Sequence, residues 1–152
     1  MTTRGLTLGM MALIALAAIT VADAKTVTRC GASEGFRYDV LGPLSKGSAG
    51  GWSKDRISSG EFALILDGEE VDIIVTDVAG TRSSKADGAT VLALFGDQPG
   101  KFIVIAAYST GTLEHYLFSL SPAGVGEVVW GTSRAQGLIP KSSLMRAPCK
   151  AP

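Results

Sequence analysis

The sequence predicts an all-β fold: an antiparallel meander of about seven or eight short strands, closed into a small barrel or a barrel-like sandwich. Three observations carry this. Helical periodicity is nearly absent after residue 25, where period-two alternation and short apolar runs dominate. Turn signals recur at about 10–13 residues, the spacing of an all-β domain. The two cysteines, Cys30 and Cys149, stand near the two ends of residues 25–152.

The chain has 152 residues, and its first 24 read as a leader: Met1-Thr2-Thr3-Arg4, an apolar run from Leu6 to Val21, then Ala22-Asp23-Ala24. A short basic start, a hydrophobic stretch and a small-x-small ending are the layout of a secretory signal peptide cleaved after Ala24. The run is marginal for a retained anchor, because a spanning helix needs about 20 apolar residues. Arg29 before Cys30 breaks a lipoprotein pattern. The expected organisation is a signal peptide over 1–24 and a single β domain over 25–152, secreted or periplasmic. No stable membrane insertion is expected after cleavage. Later apolar runs are too short for a helix, and the strands read as too short for an outer-membrane barrel.

Export makes a Cys30–Cys149 disulfide the plain reading of an even cysteine count. The loop it closes embraces nearly the whole domain, so the first and last strands must lie side by side. Chain entropy puts its stabilisation at about 4–5 kcal/mol.

The strands follow in order. Glu61–Leu66 reads as a strand, and Asp67-Gly68 turns it, Asp-Gly being a strong hairpin signal. Val71–Thr76 places Val71, Ile73 and Val75 on one face. Ala79-Gly80 turns into a short polar piece at Thr81–Ser84, and Asp87-Gly88 turns again. Thr90–Phe95 follows, and Gln98-Pro99-Gly100-Lys101 fits a type II turn, with Pro second and Gly third. Phe102–Tyr108, Thr112–Leu120 and Glu127–Trp130 are strands divided by Thr110-Gly111 and Ser121–Gly124. A last strand near Ser143–Ala147 delivers Cys149 to Cys30. Short links favour antiparallel neighbours. The pairs Ile73/Ile74, Val91/Leu92 and Ile103/Val104 make both faces of several strands apolar. An open sheet would expose one face, so closure or a sandwich is expected.

Gly42–Gly60 reads instead as a long glycine-rich loop, a kind of segment that often carries function. Trp52 within it has two roles open: an apolar plug over one barrel end, the plainer reading, or a ligand contact. Lys54, Asp55 and Arg56 are the candidate contacts beside it.

Most chemistries lack their parts. The charge balances at 14 basic against 14 acidic residues, and the basic residues are scattered singly, which excludes a nucleic-acid stripe. One histidine and two cysteines cannot build a closed zinc site. His115 sits mid-strand with no G-x-S-x-G elbow, so it reads as a surface or hydrogen-bonded strand residue. Ser83, Ser84, Ser142 and Ser143 have no nucleophile context. Gly47 is followed by Ser48, so no phosphate loop forms. Asp67, Glu69, Glu70, Asp72 and Asp77 lack calcium-loop spacing and read as a solvated hairpin tip. No catalytic residue, metal or cofactor is assigned.

Cys30-Gly31-Ala32-Ser33-Glu34-Gly35, Gly51-Trp52-Ser53-Lys54-Asp55 and Ile57-Ser58-Ser59-Gly60 carry a resemblance. So do Asp72-Ile73-Ile74, Asp77, Ser83-Ser84, Asp87-Gly88 and the closing cysteine. Together they are similar to a family of small exported proteobacterial proteins to which no activity is attached. The resemblance implies bacterial export and no catalytic residue.

The expected function is therefore an exported, non-enzymatic binding module for a protein or small-ligand partner. Its contact surface is expected on the Gly42–Gly60 loop with Trp52 and on the hairpin tips Asp67–Glu70 and Asp97–Lys101, since rigid β-scaffolds recognise through loops. The alternatives are a carrier with a small apolar ligand in the barrel, and a hydrolase using Glu114, His115 and a distant serine.

Overall fold

The computed structural model describes residues 24–40, 50–136 and 140–152. The leader expected over 1–24 falls outside these residues up to Ala24, and β1 begins at Lys25. Among the described residues nine strands run in chain order: β1 (Lys25–Asp39), β2 (Gly51–Asp67), β3 (Glu70–Asp77), β4 (Gly80–Ser83), β5 (Ala89–Phe95), β6 (Lys101–Tyr108), β7 (Thr112–Leu120), β8 (Gly126–Arg134) and β9 (Lys141–Lys150). The ninth strand beyond the expected count is the polar piece, held as β4 by its pairing to β3. Among the described residues no helix is long and apolar enough to cross a membrane.

All nine strands form one antiparallel sheet in the order β4-β3-β2-β1-β9-β8-β7-β6-β5. It curls strongly into a half-barrel, with β5 coming against β3. Every link is a hairpin except β4 to β5, and the terminal strands β1 and β9 join the two meanders. The ends of the chain thus close the middle of the sheet, and its open seam falls mid-chain. Cys30 lies directly opposite Cys149 in the β1–β9 ladder and is bonded to it, with Cα atoms 4.1 Å apart.

The core fills the concave face. Leu64, Ile73, Val104, Phe118 and Val128 are fully buried there beside the disulfide. The buried Thr28 hydroxyl directs its one proton between the carbonyl oxygens of Gly124 (2.6 Å) and Lys150 (3.0 Å), the nearer being Gly124, and so pins the β7–β8 turn to the sheet. Alternation carries this pattern: an inward apolar side chain every second residue gives each strand one face to bury.

Four expectations are corrected. The long loop is a strand from Gly51 onward: Gly51–Gly60 is the first half of β2 and pairs with Ser33–Asp39 of β1. Ser53, Lys54, Asp55, Arg56, Ser58 and Ser59 make both of its faces polar, which erases the alternation that marks a half-buried strand. Residues 42–49 of that loop lie outside the described residues, and Gly50 is the first one described. Second, closure does not bury both faces. Leu92, Leu94, Ile103, Leu113 and Leu117 remain 37–53% exposed on the convex side. Third, strand length no longer argues against a barrel of membrane type, since β1 has 15 residues and β2 has 17. Fourth, Trp52 is no plug: it is 68% exposed.

Candidate functional site

Two places concentrate recognition chemistry, one on each face of the β1–β2 hairpin. Each follows from the strand register.

On the convex face the register aligns Leu92, Ile105, His115, Gly131, Leu144, Phe36 and Lys54 in one row across seven strands. The neighbouring row ends in Tyr38 and Trp52. Trp52 and Tyr38 meet edge to face at 5.3 Å between ring centroids. Phe36 and Leu144 beside them are 52% and 50% exposed. A charged rim adjoins this patch: Glu34, Lys54, Arg56 and Arg146 line a groove of about 540 Å3 with Phe36 and Asp55. Asp55 alternates to the concave face, where it stands 4.0 Å from the Arg37 guanidinium. The side chains of the candidate residues Trp52, Lys54 and Arg56 therefore share the outer face; Asp55 borders the same groove, but its carboxylate turns to the concave side.

The hairpin tips are not part of this surface. Trp52 stands at the start of β2 and Asp67–Glu70 at its far end. Register across the sheet carries Asp97–Lys101 to that same far end, because the row ending in Trp52 begins at Thr90, where β5 starts. Asp72 accepts from Ser83 Oγ (2.5 Å) and the Lys85 amide (3.2 Å), bracing the β4 turn. Lys85 Nζ bonds Glu70 at 2.7 Å, which lowers the Glu70 carboxyl below its ordinary value. Among the described residues no group of three or more His, Cys, Asp or Glu is placed to hold a metal ion.

The concave face holds a pocket of about 220 Å3. A bulge creates it. Between Gly31↔Glu61 and Ser33↔Ile57, Ala32 of β1 faces the excursion Ser58–Gly60 of β2. Ala32 has φ of 40° and Gly60 φ of 108°. A bulge bends its strand and flips side-chain parity. Here it turns Ser33 inward, where its hydroxyl accepts a 3.1 Å hydrogen bond from Trp130 Nε1. Opposite the bulge, β7 and β8 bring Glu114, Tyr116 and Trp130 into the lining, and β3 brings Val75, Thr76 and Asp77.

The pocket wall is aromatic. Phe62 crosses from β2 to meet Tyr116 at 5.4 Å and Trp130 at 5.9 Å, and Tyr116 stacks on Trp130 at 6.1 Å. Glu114 Oε2 accepts from the hydroxyls of Tyr116 (2.8 Å) and Tyr108 (3.4 Å). Burial holds the Tyr116 hydroxyl well above the ordinary tyrosine range, and the Glu114 charge adds to it. Tyr108 is raised for the same leading reason. Glu61 is lowered, first by its hydrogen bond from Arg29 at 2.9 Å.

Glu114 and His115 are sequence neighbours on a strand and point to opposite faces. His115 lies outward over Gly131, where an added Cβ would stand 2.6 Å from the imidazole. The Glu114–His115 pairing that a hydrolase would use is not formed. Sequence reading missed Tyr116, Trp130, Phe62 and Ser33 as pocket residues. The available signal was the two-residue spacing of Glu114 and Tyr116, which sets a carboxylate on the aromatic face of a strand. No protein-family model, curated protein or solved structure matches the chain.

Proposed function

We propose that this chain is an exported, non-enzymatic binding module that docks a protein partner through its outer face around Trp52. The observation that carries the reading is Trp52 itself, 68% exposed beside Tyr38, Phe36 and Leu144, with Lys54, Arg56, Glu34 and Arg146 at the rim. Protein interfaces are anchored this way: aromatic residues and arginine dominate their energetics, and a polar rim surrounds them. Trp52 stays out of the core, and its cross-strand contact with Tyr38 leaves most of the indole free to meet a partner.

Export is supported by the leader-like residues 1–24, by the resemblance to small exported proteobacterial proteins, and by a disulfide of the kind that persists in oxidising compartments. Charges on the convex face, among them the Arg146–Glu127 pair at 2.6 Å, support a chain without stable membrane insertion, because lipid-facing charges are costly. The carrier reading has the concave pocket in its favour, but the carboxylates of Asp77 and Glu114 in the lining disfavour a purely apolar ligand.

The test is affinity capture from a periplasmic extract with wild type, Trp52→Ala, Phe36→Ala and Val78→Ala, the last removing a side chain 97% exposed on the β3–β4 turn. One protein retained by wild type and Val78→Ala and lost with the two aromatic variants is expected. Equal recovery with all four refutes the surface. Sequencing the N-terminus of the exported protein should begin at Lys25, and an intact leader refutes cleavage.

A further inference from the structure

We propose that the concave pocket binds a small organic cation, an ammonium group carried on a short apolar body. Size, wall and charge agree on this class. About 220 Å3 holds a body of a few heavy atoms. Phe62 and Trp130 line the pocket with aromatic surface, and the negative face of such a ring attracts cations; Tyr116 is stacked against Trp130 and Phe118.

Charge decides between ligand classes. Asp77 and Glu114 bring carboxylates to the pocket, and no Lys, Arg or His lines it among the described residues; Glu61 lines it too, but its carboxylate lies on the convex side with Arg29 and Lys150. The Asp77 carboxylate already has a cation, Arg82 at 2.7 Å. Glu114 has none among the described residues. Both of its tyrosine bonds end on Oε2, which leaves Oε1 without a hydrogen bond there. An anionic ligand would meet uncompensated like charge. A neutral apolar ligand would strip water from Glu114 and replace it with nothing. A metal ion lacks its cluster of ligands among the described residues. An ammonium group beside Oε1, with its alkyl part against the rings, satisfies each of these terms.

The test uses the Trp52→Phe chain, in which Trp130 is the sole tryptophan of an original two. Choline and butylammonium are titrated against Trp130 emission, with 1-butanol and butyrate as the neutral and anionic comparisons. Saturable changes with the two cations alone are expected. Glu114→Gln, checked for its β-sheet circular dichroism, should weaken cation binding about tenfold or more. No saturable response to either cation, an equal response to butanol, or unchanged affinity in Glu114→Gln overturns the proposal. If Glu114→Gln does not fold, the comparison of cations with butanol and butyrate decides alone.

Discussion

Opening the Cys30–Cys149 bridge should lower the unfolding free energy by about 2–5 kcal/mol, the range for native bridges in small exported domains. The bridged residues are 119 apart in sequence, and chain entropy assigns a loop of that length about 5 kcal/mol. The structure shows why the loss acts mainly through the unfolded chain. Both cysteines are buried, at 0% and 5% exposure, and they face each other in a ladder whose next pair is Arg29↔Lys150. Reduced thiols would keep their apolar surroundings and the backbone pairing would stay, so the folded state changes little. The assay is urea unfolding of the oxidised protein, the reduced protein and Cys30→Ala/Cys149→Ala, followed by tryptophan emission. With a slope near 1.5 kcal/mol/M, a loss of about 3 kcal/mol moves the midpoint down by about 2 M. The slope itself should rise slightly as the freed unfolded chain expands. Coincident midpoints for oxidised and reduced protein would refute the reasoning.

Three further outcomes follow from particular contacts. Thr28→Val keeps the shape and removes a buried donor to Gly124 and Lys150, so thermal unfolding should report a loss of about 1–3 kcal/mol; no loss would mean water replaces the hydroxyl. Gly124→Ala should destabilise more than Gly68→Ala in parallel urea curves. Both glycines have positive φ, 78° and 60°, and share a left-handed strain of about 1–2 kcal/mol, but an added Cβ at Gly124 stands 2.3 Å from the Val27 carbonyl while Gly68 faces open space. Equal losses would show that the turn moves away from Val27. Tyr108 and Tyr116 hold their protons more tightly folded than unfolded. Their contribution is complete below the ordinary tyrosine value of 10.0 and is lost as pH rises above it toward the folded values. Phenolate absorbance should therefore show these two hydroxyls ionising together with unfolding, and their titration at 10.0 in a protein that stays folded would contradict their burial.

The amino-acid sequence by itself determined the class, most strands and the meeting of the chain ends. Val71, Ile73 and Val75 alternate with partly exposed or exposed neighbours, and that contrast is the strand signal. Asp67-Gly68 and Pro99-Gly100 placed turns because few residues reach the backbone angles those turns require. Two cysteines, one near each end of residues 25–152, left a single intramolecular pairing, and with it the β1–β9 contact. Tertiary structure alone decided the rest. Gly51–Gly60 is a strand only because Ser33–Asp39 lies beside it, and a segment polar on both faces carries no period to read. Which apolar face stays outside depends on the direction of curl, a property of the whole sheet that left Trp52 and Phe36 in solvent. The pocket joins β1, β2, β3, β7 and β8, so no local pattern could announce it. Its opening depends on Ala32, one extra residue whose effect on side-chain direction exists only once two strands are in register.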